Sequence, residues 1–182
     1  MERRIGNKTL DMVYIALFAV IIAICSWICV PTAIPFTLQT FAVFLAVAVL
    51  GGKRGSMAVL LHLLMGAVGL PVFSGFTGGI GRLFDATGGY KLGFILAALV
   101  MWGAEYFFGK KDLVLGVSMV LGILLCYTFG TAWYLFLYGS TMGASLVTVL
   151  GVCVFPFVIP DMIKIGMVLA FRKRLVKVLH LK

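Results

Sequence analysis

Residues 12–30 read MVYIALFAVIIAICSWICV, from Met12 to Val30, without one charged side chain. At 1.5 Å per residue a helix of this length reaches about 28 Å, close to the ~30 Å hydrocarbon core of a bilayer. The pattern repeats outward from this run. Apolar stretches cover residues 41–50, 56–70, 92–108, 113–138 and 142–171. Between them stand basic turns, Lys53-Arg54 and Lys110-Lys111, and a basic end beginning at Arg172. The whole chain is 63% apolar and 12% charged. The runs are continuous, whereas a membrane barrel alternates apolar and polar residues at period two. The expected fold is therefore an all-α integral membrane protein. Residues 1–182 form one transmembrane domain with little left for a soluble one. The first run is too long for a cleavable signal, and no small-residue cleavage site follows it.

Prolines and glycines divide the chain into six expected transmembrane helices. Pro31 ends the first, and the polar piece Phe36-Thr37-Leu38-Gln39-Thr40 opens the second. Pro71 stops the third. A long glycine-rich outer loop follows, SGFTGGIGRLFDATGGYK from Ser74 to Lys91, too polar and flexible to cross lipid as a helix. Pro156 and Pro160 divide the last stretch, since proline suits the first helical turn and disrupts the interior. This places a short or re-entrant piece near residues 141–155 and the start of the sixth span near Pro160.

With the N-terminus inside, the inner side holds Arg3, Arg4, Lys8, Lys53, Arg54, Lys110, Lys111, Arg172, Lys173, Arg174, Lys177 and Lys182, twelve of the 15 cations. The positive-inside rule then puts both termini in the cytoplasm of a multi-pass plasma-membrane protein. The same rule explains the net charge of +9 without a nucleic-acid partner. Cys25 and Cys29 lie one helical turn apart with no histidine nearby and read as small core residues, neither disulfide nor metal site.

Arg82, Lys91 and Lys164 do not fit the inner set. Of the acids, Asp85 sits in the glycine-rich loop and Asp161 at the expected start of the sixth span. Asp161 and Lys164 are three apart and share a helical face. A first-turn cap with a self-compensating partner is one reading, because the helix dipole favours an anion there. A polar anchor for a small ligand is the stronger one, because burying two charges only to pair them is a poor stability device. The glycine-rich loop has no phosphate-binding GxxxxGK[ST] pattern and reads better as a lid or wall of a site. His62 reads as a buried, hydrogen-bonded core residue. No paired acids, metal cluster or Ser/His/Asp set points to an enzyme. On the first helix, Ala16, Ala19 and Ala23 are small; the Ala19-x-x-x-Ala23 spacing allows another helix to approach closely.

Four segments in this order resemble the biotin-specific substrate-binding (S) component of energy-coupling factor transporters. They are Pro35-Phe36-Thr37-Leu38-Gln39-Thr40-Phe41, Gly66-Ala67-Val68-Gly69-Leu70-Pro71-Val72-Phe73, Thr87-Gly88-Gly89-Tyr90 with Gly93-Phe94, and Asp161-Met162-Ile163-Lys164. The resemblance spans residues 10–175. It implies a six-helix protein that binds biotin near the outer face and delivers it inward. The implied partners are a transmembrane coupling protein and two ATPase subunits; no cofactor is implied. Ala19 and Ala23, with Ala16 beside them, stand where the family docks its coupling protein. Asp161, Lys164, Lys91, Tyr90, Gln39, Thr77, Phe36 and Phe73 stand at the ligand site. The chain departs from the family at Asp85-Ala86, where Gly-Pro is common, and at Ile159-Pro160, where Pro-Gly is common. Thr77 replaces an asparagine found in some members.

Biotin's chemistry suits these residues. Asp161 accepts from the ureido N–H groups, and Lys164 donates to the carbonyl or holds the aspartate. Lys91 or Arg82 is available for the valerate carboxylate. Phe36, Phe73 and Tyr90 supply apolar walls. An S component for another small vitamin, or a non-transport membrane bundle, is the competing expectation.

Overall fold

The structure, a computed structural model, describes residues 8–30, 36–142 and 146–179. Seven α-helices are described: α1 (Lys8–Trp27), α2 (Gln39–Leu50), α3 (Gly52–Ala67), α4 (Gly88–Phe108), α5 (Asp112–Met142), α6 (Leu146–Cys153) and α7 (Phe155–Val178). Two short strands, β1 (Cys29–Val30) and β2 (Phe36–Thr37), pair antiparallel after α1. Four segments are long and apolar enough to cross a membrane: Lys8–Trp27, Gly88–Phe108, Asp112–Leu137, and Leu146–Val178 across α6 and α7. The chain is thus a mostly helical, multi-pass membrane protein. Large apolar side chains such as Leu17, Val20, Leu121, Leu124 and Ile163 cover its outside, a surface that lipid rather than water accommodates.

The second and third expected spans are short, as the sequence indicates. At 12 and 16 residues, α2 and α3 extend about 18 and 24 Å. A helix apolar on every side belongs inside a bundle. Accordingly, α2 is buried at every residue except Phe41, which is partly buried. It is packed against α1, α3, α4 and α7. One residue, Gly51, joins α2 to α3, with φ of 85° in the region that glycine enters without strain. The basic pair Lys53-Arg54 therefore opens α3 instead of lying in a turn.

Helices α4 and α5 pack through small residues. A Cβ at Gly130 would lie 2.3 Å from the Tyr90 ring, one at Gly93 2.8 Å from Cys126 Sγ, and one at Gly122 3.1 Å from Ala97 Cβ. Absent side chains there let the two backbones close together.

The basic turns meet at one end. Arg54 pairs with Asp11 at 2.9 Å, and Lys110 with Glu105 at 3.2 Å. Glu105 also accepts the Gly52 amide at 2.6 Å. Arg172 donates to Asp112 at 2.6 Å and to the Ala48 carbonyl at 3.1 Å. These bonds tie the α2–α3 turn, the α4–α5 turn and the last turns of α7 together.

Two expectations change. The break in the last stretch falls at Val154, not at Pro160. Pro156 occupies the first turn of α7, where its missing N–H costs nothing, and Pro160 lies inside the helix. Asp161 is consequently the seventh residue of α7 and not a first-turn cap, so the helix dipole does not account for its charge.

The small residues of α1 divide between the inside and the outside of the chain. Ala19 and Ala23 are 0% and 3% exposed within the chain, with α1 lying against α3 and α2. Ala16 faces outward. Ala19 and Ala23 pack inside this chain, and of the three alanines Ala16 is the exposed one.

Candidate ligand-binding site

At the end of the bundle opposite the basic clamp, α2, α4, α5, α6, α7 and β2 line a cavity of about 60 Å³. Tyr90 and Phe94 line it from α4, Cys126 and Tyr127 from α5, and Phe157, Asp161 and Lys164 from α7; Thr37 lies at its edge. Proximity on one helical face makes the charge pair local. Lys164 Nζ is 2.8 Å from Asp161 Oδ1, and both residues are almost fully buried, at 4% and 2% exposure. Lys164 has two further partners. It donates to the Thr37 carbonyl at 2.8 Å, and its Nζ sits 4.3 Å from the Phe36 ring centre. The strand β2 is therefore held against α7 by this lysine. Lys164 thus holds Asp161 Oδ1 while itself lining the cavity.

The other oxygen of the carboxylate has its own donor. Tyr127, a residue the sequence reading passes over, donates its hydroxyl to Asp161 Oδ2. A tyrosine inside a helical apolar run gives no periodic signal. Its only sequence clue is that a buried phenol needs a hydrogen-bond partner, and Asp161 is the acid nearest the same end.

An apolar groove of about 530 Å³ lies next to the cavity, between β1–β2 and α6–α7. Phe157 lines both spaces. Its ring faces Phe36 at 5.9 Å between centres. The charged pair thus lies beside a pair of aromatic rings that also border the apolar groove.

The remaining expected site residues fall in two other clusters. Gln39 is buried, with its amide Nε2 3.2 Å from His62 Nε2. Phe73 is fully buried, edge-on to His62 at 5.7 Å, in the space that Gly66 leaves open. His62 is thus a buried, hydrogen-bonded core residue, and Gln39 and Phe73 do not line the cavity.

Lys91 lies in the second cluster, with the loop after α3. Its Nζ donates to the Arg82 carbonyl at 2.7 Å, to Asp85 Oδ1 at 3.2 Å and to the Thr87 hydroxyl. It also stands 5.3 Å from the Phe73 ring centre. Burial pushes the Asp85 carboxyl up, but hydrogen bonds from Thr87 and the Lys91 ammonium outweigh it and hold the carboxyl below its ordinary value. Thr77 pairs with Phe73 across a small backbone bridge and donates its hydroxyl to the Ser74 carbonyl at 3.0 Å. Trp133 of α5 donates to the Asp85 carbonyl at 3.1 Å. These bonds knit the glycine-rich segment together and to α4 and α5, so it is not a loose connector. Tyr90 bridges the regions: it lines the cavity, and its hydroxyl is 3.3 Å from Thr131 Oγ1. Among the described residues, no group of three or more His, Cys, Asp or Glu is placed to hold a metal.

Known proteins share this architecture and sequence. A solved structure of the S component for biotin from an ECF-type ABC transporter superposes with a TM-score of 0.82, covering 97% of this chain and 95% of that one. At 22% identity that likeness speaks for the fold. Sequence relatives are closer. The biotin transporter BioY2 of Lactococcus lactis subsp. cremoris is 38% identical over 96% of this chain and 94% of its own length. The biotin transporter BioY of Thermotoga maritima is 37% identical over 85% of this chain and 79% of its own. A probable biotin transporter BioY of Pyrococcus horikoshii is 34% identical over 92% of this chain and 97% of its own. The sequence profile of the BioY family matches residues 1–180, and the chain belongs to that family.

Proposed function

We propose that this chain is the membrane-embedded biotin-binding component of an energy-coupling factor transporter and delivers biotin inward. It is a binding and transport protein, not an enzyme. One observation carries the reading at the residue level. A carboxylate and an ammonium, each at most 4% exposed, are buried together beside a cavity among apolar helices. Intramembrane charges are costly and mark ligand paths by default. In this reading Asp161 accepts a ureido N–H of biotin, Lys164 fixes the carboxylate, and Tyr90, Phe36 and Phe157 flank the apolar rings and chain.

The finer features belong to the same proposal. The membrane is crossed six times, by α1, α2, α3, α4, α5 and α7, with the glycine-rich loop outside. The clamp of basic residues faces the cytoplasm, as do both termini. The chain carries no nucleotide-binding motif, so ATP-driven uptake requires partners: a transmembrane coupling protein and two ATPase subunits.

The test is isothermal titration of biotin into the detergent-purified protein. Asp161→Ala removes the acceptor and leaves Lys164 unpaired. Truncating one partner of a buried charge pair typically costs about 2–5 kcal/mol in binding. Biotin affinity is therefore expected to fall at least ~10-fold, the equivalent of about 1.4 kcal/mol. Unchanged affinity in a folded variant would leave the pair as a structural bridge and remove the site.

A further inference from the structure

The hydroxyl of Tyr127 and the Oδ2 of Asp161 stand side by side at hydrogen-bond separation, and both residues line the cavity. A phenol carries one donor, and an ionised carboxylate only accepts. Together they form a short edge with one donor and one acceptor. Tyr127 is 8% exposed, so the edge is shielded from water apart from the cavity itself.

A five-membered cyclic urea carries the matching edge, an N–H beside its carbonyl. Its two N–H bonds diverge on either side of the C=O, so a single carboxylate takes one of them. The carbonyl next to that N–H then needs a donor of its own. Two of the three N–H groups of Lys164 are taken by Asp161 Oδ1 and the Thr37 carbonyl, and its ammonium stands over the Phe36 ring. The donor touching the other carboxylate oxygen, Oδ2, is Tyr127.

We propose that Tyr127 is a ligand-contacting specificity residue, whose O–H turns from Asp161 Oδ2 to the ureido carbonyl as Oδ2 accepts the adjacent N–H. The exchange leaves no buried polar group without a partner: the hydroxyl changes acceptor and the carboxylate changes donor. This rests on the biotin reading and adds to it, because it assigns the carbonyl of the ligand. A site built to pair with a polar group discriminates strongly against an analogue that cannot pair.

The experiment titrates two probes, biotin and 2-iminobiotin, into purified wild-type protein and into Tyr127→Phe near neutral pH. In 2-iminobiotin, protonated under these conditions, an N–H donor stands where biotin has its carbonyl acceptor. Tyr127→Phe is expected to weaken biotin about tenfold and to change 2-iminobiotin less than about twofold. Equal losses for both probes overturn the proposal and make Tyr127 a support for Asp161 only. No loss for biotin overturns it as well. Should the variant fail to fold, wild-type protein decides with 2-thiobiotin, whose sulfur is a poor acceptor: equal binding of it and biotin refutes a donor at the carbonyl. Wild-type protein that binds no biotin at all fails the underlying functional reading instead, a result distinct from all of these.

Discussion

Lys91 and Lys164 are both buried lysines at the same end of the bundle, and their partners separate them. Lys164 faces Asp161 at the cavity, whereas Lys91 is bound to three oxygens of the glycine-rich segment. A ligand carboxylate can reach Lys91 only by displacing those bonds. Lys91→Ala is therefore expected to loosen the glycine-rich segment and weaken biotin and biotin amide to a similar degree. Titration with both ligands checks this: loss confined to biotin would instead give Lys91 the carboxylate directly. At this scale the sequence was partly legible. Asp161 and Lys164 stand out because a charge in an apolar run has no ordinary reason to be there. Gln39 and Phe73 followed from the family resemblance, and side-chain direction, invisible in sequence, turns them toward His62. Tyr127 was hidden because a tyrosine is common in membrane helices and its bond to Asp161 spans 34 positions.

Helix boundaries and faces depend on packing that spacing alone does not give. Pro160 resembled a helix start, but α7 already begins at Phe155, with Pro156 satisfying the preference for proline in the first turn. Ala19 and Ala23 have the spacing of a docking motif, but that spacing says two residues share a face and not which neighbour covers it. Here α1 rests on α2 and α3, and the outward line carries Met12, Val13, Ala16 and Val20. Ala19→Leu is expected to overfill the core, a class of change that costs about 1–3 kcal/mol, and to lower the thermal midpoint in detergent. Ala16→Leu should leave that midpoint within about 1 °C of wild type, as surface changes usually do. Co-purification with the coupling module then isolates any role of the outward face. Equal destabilisation by both variants would contradict the orientation of α1.

Over the whole molecule, charge was the most readable signal. The clusters that the sequence assigned to one side are bonded together at one end, through Arg54–Asp11, Lys110–Glu105 and Arg172–Asp112. The cytoplasmic side of that end is tested by cysteines placed at Lys8 and at His180, the latter outside the described residues. Neither should react with a membrane-impermeant reagent added to intact cells; labelling of either inverts the proposed topology. The single-glycine joint between α2 and α3 has a consequence for biosynthesis. At about 18 Å, α2 falls well short of the ~30 Å hydrocarbon layer, and in the folded chain almost none of it faces outward. An emerging chain cannot hold it across the bilayer alone. In the proposed topology the translocon receives α2 and α3 as one folded-over pair, with Lys53 and Arg54 kept on the side of synthesis. An alkaline phosphatase reporter joined directly after Leu50 should be carried to the outer side and be active, because α2 does not cross without α3. An inactive reporter would mean that α2 enters by itself.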